Sequence, residues 1–167
     1  MILIRLGDLD TEKAHRIMAS ATYQSRVLVI KRTKLGETDC ICTLLSQDGS
    51  QIRAVAKGAR KPTSPFTSRL ELFSVCDVLF VKGKSLDIIK EARLVEGYPH
   101  LRENLEKTEA ASPIAELLEK GTVDSLENAQ LFALSTKALS FLNRQTFPDS
   151  SLLMITSAYL IKAMSFL

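Results

Sequence analysis

From Tyr23 to about Val95 the apolar residues come in short runs separated by turn residues. Val27 to Ile30 is branched and apolar between Arg26 and Lys31, and Cys40 to Leu45 is a second run. Asp48-Gly49 then supplies a hairpin turn signal, because Gly takes a positive φ at no steric cost. Gln51 to Ala56 alternates polar and apolar positions, the pattern of a half-buried strand. Lys57 to Ser68 is polar and holds Pro62 and Pro65, which interrupt any ladder. Leu70 to Val81 predicts a long fourth strand with Ser74 and Asp77 in its middle. Leu86 to Val95 predicts a fifth, with Ile88, Ile89, Ala92 and Leu94.

After Gly97-Tyr98-Pro99 the period becomes helical. Leu101 and Leu105 stand at i, i+4. Ser112-Pro113 predicts a helix start, with Ser as cap and Pro in the first turn. Ile114, Leu117 and Leu118 follow on one face, and Gly121 closes it. Ser125 is the expected cap of the next helix, whose stripe is Leu126, Ala129, Phe132, Thr136, Leu139 and Leu142. Ser151 to Leu167 predicts a last helix, with Leu153, Ile155, Tyr159, Leu160, Ala163, Met164 and Leu167 on its apolar side. It reaches the final residue without a stop signal, so the helical part reads as incomplete, with an underpacked face. Residues 1–22 lack these patterns and are expected to be a loosely held extension. Met18 is a candidate start of the patterned chain.

Five short strands predict a small barrel or sandwich, and five is the strand count of the oligonucleotide/oligosaccharide-binding (OB) barrel. The predicted class is thus α+β: an OB barrel over residues 23–97, then a helical domain over 98–167.

Composition adds exclusions. The chain has 167 residues, 46% apolar and 25% charged, which excludes general disorder. The longest apolar runs, four residues, are far below the roughly 18 needed for a membrane span. Three cysteines, Cys40, Cys42 and Cys76, are too few and odd in number for a disulfide scaffold and fit a reducing cytoplasm. Cys40-x-Cys42 puts two thiols on one strand face, not in the spacing of structural zinc. There is no phosphate-binding Gly-rich loop and no nucleophile elbow, so nothing argues for an enzyme.

Charge is informative in its placement. Residues 13–70 hold eleven basic residues and three acids, Glu37, Asp39 and Asp48, on a chain whose net charge is only +3. No acid lies between Asp48 and Glu71, while Arg53, Lys57, Arg60, Lys61 and Arg69 do. Grouped cations release several counterions together when they meet phosphates, which points to a polyanion partner. Lys31, Arg32 and Lys34 form a second group between the first two strands, the connection that contacts nucleic acid in OB barrels. Glu37 and Asp39 repel phosphate and are expected to order the turn by accepting hydrogen bonds. Arg69 is a weaker candidate, at an expected strand start and within reach of Glu71 or Asp48. Phe66 is the candidate base-stacking ring, whereas Phe73 and Phe80 read as core.

These residues also carry a family resemblance. Tyr23-Gln24-Ser25-Arg26-Val27-Leu28-Val29-Ile30-Lys31-Arg32-Thr33-Lys34-Leu35-Gly36-Glu37-Thr38-Asp39 resembles the opening of RecO, the bacterial DNA repair and recombination-mediator family. Ala54-Val55-Ala56-Lys57-Gly58-Ala59-Arg60-Lys61-Pro62 is similar to its most recognisable internal motif. Arg69-Leu70-Glu71-Leu72-Phe73 resembles its RLEPF element, with Leu72 where Pro is usual. The resemblance implies a non-enzymatic, cytoplasmic, nucleoid-associated protein with an OB domain and a helical domain. It implies binding of single- and double-stranded DNA, annealing of complementary strands, and loading of recombinase with RecR onto DNA coated by single-strand-binding protein. Many members carry a Cys-rich zinc module beyond the helices. This chain reaches Leu167 without that cluster, so no cofactor is expected. The alternative reading is a protein-interaction or RNA-binding OB module that does not anneal strands.

Overall fold

A computed structural model describes residues 21–124, 127–144 and 148–167. The expected extension therefore lies outside the described residues, apart from its last two positions. Strands β1 (Thr22–Leu35), β2 (Asp39–Ser46), β3 (Gln51–Ala56), β4 (Val75–Val81) and β5 (Asp87–Glu96) close into a barrel in the order β1-β2-β3-β5-β4. Every pairing is antiparallel except the short parallel contact of β3 with β5. This is the predicted OB barrel.

Closure depends on β1. Its first half pairs with β4, from Thr22↔Val81 to Leu28↔Val75, and its second half with β2, from Val27↔Ser46 to Leu35↔Asp39. The apolar run Val27–Ile30 marked only the middle of this 14-residue strand. Alternate side chains give it two buried faces. Val27 and Val29 point into the barrel with Cys42, Leu44, Ala54 and Phe80. Leu28 and Ile30 point outward, with Leu45, Phe73 and Val75, into a second cluster built with the helices. The cysteines and alanines of β2 and β3 suit the narrow interior, which larger side chains at every position would overfill.

The fourth strand is shorter than expected. Phe66–Arg69 forms a one-turn helix, α1, and Leu70–Ser74 is a turn, so β4 begins only at Val75. The chain changes layers here. Leu70 enters the barrel core and Phe73 the outer one. Phe73 takes a left-handed φ of 68°. Its N–H donates to the Val29 carbonyl at 2.8 Å, and the Val29 N–H donates to the Ser74 carbonyl at 2.9 Å.

The helices are α2 (Pro99–Glu103), α3 (Leu105–Gly121), α4 (Ala129–Leu142) and α5 (Asp149–Met164). Several predicted details change. Leu101 is buried but Leu105 is exposed, because Asn104 leaves the helical path between them and caps α3, accepting from the Lys107 N–H at 3.0 Å. Ser112-Pro113 therefore lies inside α3 instead of starting a helix. Ser112 Oγ donates back to the Thr108 carbonyl, and Pro113 supplies no N–H to the turn before it. The expected cap Ser125 and Leu126 lie outside the described residues; the Asn128 side chain caps α4. In α5 the buried ridge is Leu152, Thr156, Tyr159 and Ala163; Tyr159 and Ala163 belong to the predicted stripe, whereas Leu152 and Thr156 take the buried places expected of Leu153 and Met164. Leu153, Met154, Ile161 and Met164 are exposed, an apolar surface on the outside of the helical layer. No helix among the described residues is long and apolar enough to cross a membrane.

Polar clasps fix the helices to the barrel. Arg102 donates to the Gly97 carbonyl at 2.7 Å, to Ser74 Oγ at 2.6 Å and to the Glu71 carboxylate. Gln51 Nε2 donates to the carbonyls of Glu119 and Thr122 at 3.0 and 3.2 Å. The β2–β3 turn is pressed against the cap of α4. Gly49 has φ +92°, and a Cβ there would sit 2.2 Å from the Asn128 carbonyl oxygen. Gly49→Ala combines backbone strain with that collision and is expected to cost more than about 1 kcal/mol. Urea denaturation of the variant should show a lower midpoint with an unchanged slope.

Candidate nucleic-acid interface

The β1–β2 hairpin tip and the loop after β3 form one structure. Asp39 Oδ1 accepts from the Gly58 N–H at 2.8 Å and from the Thr38 hydroxyl at 3.1 Å. The Arg60 N–H donates to the Thr38 carbonyl at 2.9 Å, and its guanidinium to the Gly36 carbonyl at 3.0 Å. Gly58 must be glycine for this approach, because its φ is +66°. Ala59, 1% exposed, plugs the barrel end beneath the loop. Thr67 Oγ1 bonds to the carbonyls of Ala59 and Lys61, which ties the loop to α1. Thus Lys34, Lys57, Arg60 and Lys61, all exposed, stand on one end of the barrel on a fixed backbone.

The two acids of the hairpin differ in role. Asp39 is the pin just described. The Gly58 N–H, then the Thr38 hydroxyl and more weakly the Lys57 and Lys61 charges, hold its carboxyl below the usual range. Glu37 is exposed at the tip.

The remaining candidates are dispersed. A bulge in β1 shifts the register between Val29 and Lys31, so Ile30 and Lys31 both face outward. Lys31 then forms an ion pair with Glu119 of α3. Beyond the bulge Arg32 and Lys34 stand opposite Cys42 and Cys40, on the barrel-interior side. Arg32 is half-buried in the mouth, and its Nε is buried without a hydrogen-bond partner. The neighbouring Cys42 and, after it, the Arg32 guanidinium hold the Cys40 thiol below its usual range, while the same pairing and burial raise Cys42. Arg69 ends α1 instead of starting a strand, and donates to the Ala92 carbonyl at 3.1 Å. Its expected acids are engaged elsewhere, Glu71 with Arg102 and Asp48 with Ser50. The Phe66 ring is half-buried against the barrel core. Phe73 and Phe80 are core, as predicted.

Other cations stand away from the hairpin end. Lys82 and Lys84 in the β4–β5 turn, with Arg53, share a cavity at the other end of β1 with Asp48, Asp87 and Asp124. Lys82 pairs with Asp87 at 3.6 Å, and Tyr23 donates to the same carboxylate. Acids and bases balance there, so no cationic field forms. On the outer wall, Arg26 and Arg93 flank Asp77 across the β1–β4–β5 pairing, at 2.7 and 2.6 Å.

A closed five-stranded barrel in OB order, with helices over one wall and cations gathered at the β1–β2 end, defines an OB-fold protein with an appended helical layer. Residues 18–98 match the family described as recombination protein O N terminal. Relatives called DNA repair protein RecO extend the match. One from Desulfitobacterium hafniense is 36% identical over 145 residues, 87% of this chain and 51% of the relative. One from Synechococcus elongatus is 37% identical over 127 residues, 76% and 48%. One from Bifidobacterium longum is 35% identical over 147 residues, 86% and 59%. The chain belongs to the RecO family, and it spans about half the length of these curated relatives.

Two outcomes test the geometry. Asp39→Ala removes the acceptor that holds the loop, so the Gly58 amide should exchange with deuterium faster while β4 amides do not change. Asp77, held near a pKa of about 2 by hydrogen bonds from Arg26 and then Arg93, contributes stability above about pH 4 that fades as pH falls through 2. Asp77→Asn should therefore lower Tm at pH 7, with the difference from the parent chain vanishing near pH 2.

Proposed function

We propose that this chain is a DNA-binding recombination mediator acting in DNA repair, and that it works without catalysing a covalent step. The reading is carried by the pinning of the 57–61 loop onto the β1–β2 hairpin by Asp39 and Arg60, which holds Lys34, Lys57, Arg60 and Lys61 on one rigid surface. The names of its relatives agree with a role in DNA repair. Cations held on rigid backbone grip phosphates with little ordering cost. They position a strand without reading its sequence, and they leave base edges free to pair, which annealing requires. Single- and double-stranded DNA are the proposed ligands. RecR, single-strand-binding protein and, indirectly, the recombinase are the partners proposed from family membership, with a cytoplasmic, nucleoid-associated location and no bound cofactor.

Within the site the roles differ by environment. Lys34, Lys57, Arg60 and Lys61 are the primary contacts. Lys31 contributes less while Glu119 holds it. Arg32 serves from the barrel mouth through its half-buried guanidinium.

Replacing Lys57, Arg60 and Lys61 together by Ala should weaken binding to oligonucleotides of every sequence alike. It should also reduce the slope of log affinity against log salt by about two to three units. Fluorescence anisotropy across a salt series measures both. An unchanged slope with the fold intact would remove this end of the barrel as the DNA site.

A further inference from the structure

The outer wall of β1, β4 and β5 is the side of the barrel that the helices leave open. It carries a groove of about 1030 Å³, bounded on one side by α1. Four cations from three separate elements line it: Arg26 of β1, Arg69 of α1, and Lys90 and Arg93 of β5, against the two acids Asp77 and Glu91. Asp77 lies between two arginines and offsets one of them. Arg69 is oriented by its bond to the Ala92 carbonyl. A β5 bulge between the Leu79 and Phe80 pairings adds Lys90 to the exposed edge. The edge of the groove nearest the 57–61 loop is formed by Phe66, whose ring packs one side on the barrel core and is partly open on the other.

A half-open aromatic ring beside fixed guanidinium groups is the combination that holds a single strand: one base stacks on the ring while neighbouring phosphates meet the cations. The segment 57–69 joins this groove directly to the hairpin-end site, with Lys57, Arg60 and Lys61 at one end and Phe66 and Arg69 at the other. We infer that the β1–β4–β5 groove is a second strand-binding surface, which takes single-stranded nucleic acid with a base stacked on Phe66 and its phosphates along Arg69, Lys90 and Arg93. The inference rests on the nucleic-acid reading above. It adds that one chain holds two strands side by side, on either flank of a single loop and helix.

The chain has no tryptophan, so Phe66→Trp introduces a unique fluorophore at the ring position. Titration with a thymidine oligonucleotide should quench the indole saturably and in a salt-dependent way. The quench should persist when Lys57, Arg60 and Lys61 are Ala. Independently, Lys90→Ala with Arg93→Ala in the parent chain should lower the salt slope for single strands by about 1.4 units, near 0.7 for each cation. Labelled oligonucleotide that binds without quenching the indole, with no change of slope in the double variant, overturns the groove and leaves the hairpin-end site standing. Binding of no oligonucleotide at all overturns both readings. Quenching by a polyglutamate peptide but not by the oligonucleotide assigns the groove to acidic protein and overturns the inference.

Discussion

The arrangement turns on one extra residue in β1. A strand that alternates strictly would carry the inward face of Val27 and Val29 on to Lys31 and Thr33. The bulge at Ile30 changes that parity. Ile30 joins Leu28 in the apolar cluster against the helices, and Lys31 reaches Glu119 from the same side. Arg32 and Lys34 swing to the barrel mouth, across from Cys42 and Cys40. A single register shift therefore both anchors the helical layer and supplies cations to the end of the barrel.

That layer is needed because the barrel's outer wall is partly apolar. Leu28, Ile30, Leu45, Phe73 and Val75 would otherwise face water, and the helices cover them with Leu101, Ile114, Leu118 and Leu139. The helix-facing and open walls then differ in chemistry. The covered wall is aliphatic, while the open wall of β1, β4 and β5 carries the Arg26–Asp77–Arg93 ladder. Hydrophobic burial thus decides which surfaces of the barrel remain for charged ligands. The exposed Leu153, Met154, Ile161 and Met164 of α5 continue the same logic one layer out.

Electrostatics at the hairpin end follow from an apparent contradiction. Asp39 sits among cations yet strengthens the site, because its carboxylate is occupied by the Gly58 N–H and the Thr38 hydroxyl and fixes the loop that presents Lys57, Arg60 and Lys61. Similar acids elsewhere act differently. Asp87 and Asp124 share their cavity with Lys82, Lys84 and Arg53 and cancel them. Whether an acid helps or hinders a phosphate site depends on what already holds it.

The amino-acid pattern by itself determined the five strands, the switch to helices near Pro99, the core status of Phe73 and Phe80, and the basic character of residues 57–61. Each is a local property, set by period, turn residues or composition within a short window. It also marked Asp39 as a turn-ordering acid, since an acid inside a hairpin between basic residues has few other uses. Tertiary structure alone decided the rest. The Ile30 bulge has no composition signal, so neither the pairing of Lys31 with Glu119 nor the inward turn of Arg32 was legible. Leu70 to Ser74 is apolar enough to read as strand, but its residues alternate between two separate cores, which only the packed layers reveal. Pro113 looked like a helix start because local rules favour it there, while the Asn104 cap and burial of Ile114 and Leu118 carry α3 through it. Arg26, Lys90 and Arg93 are scattered over 68 positions; strand pairing gathers them beside Phe66, because hydrogen-bonded register ignores distance along the chain.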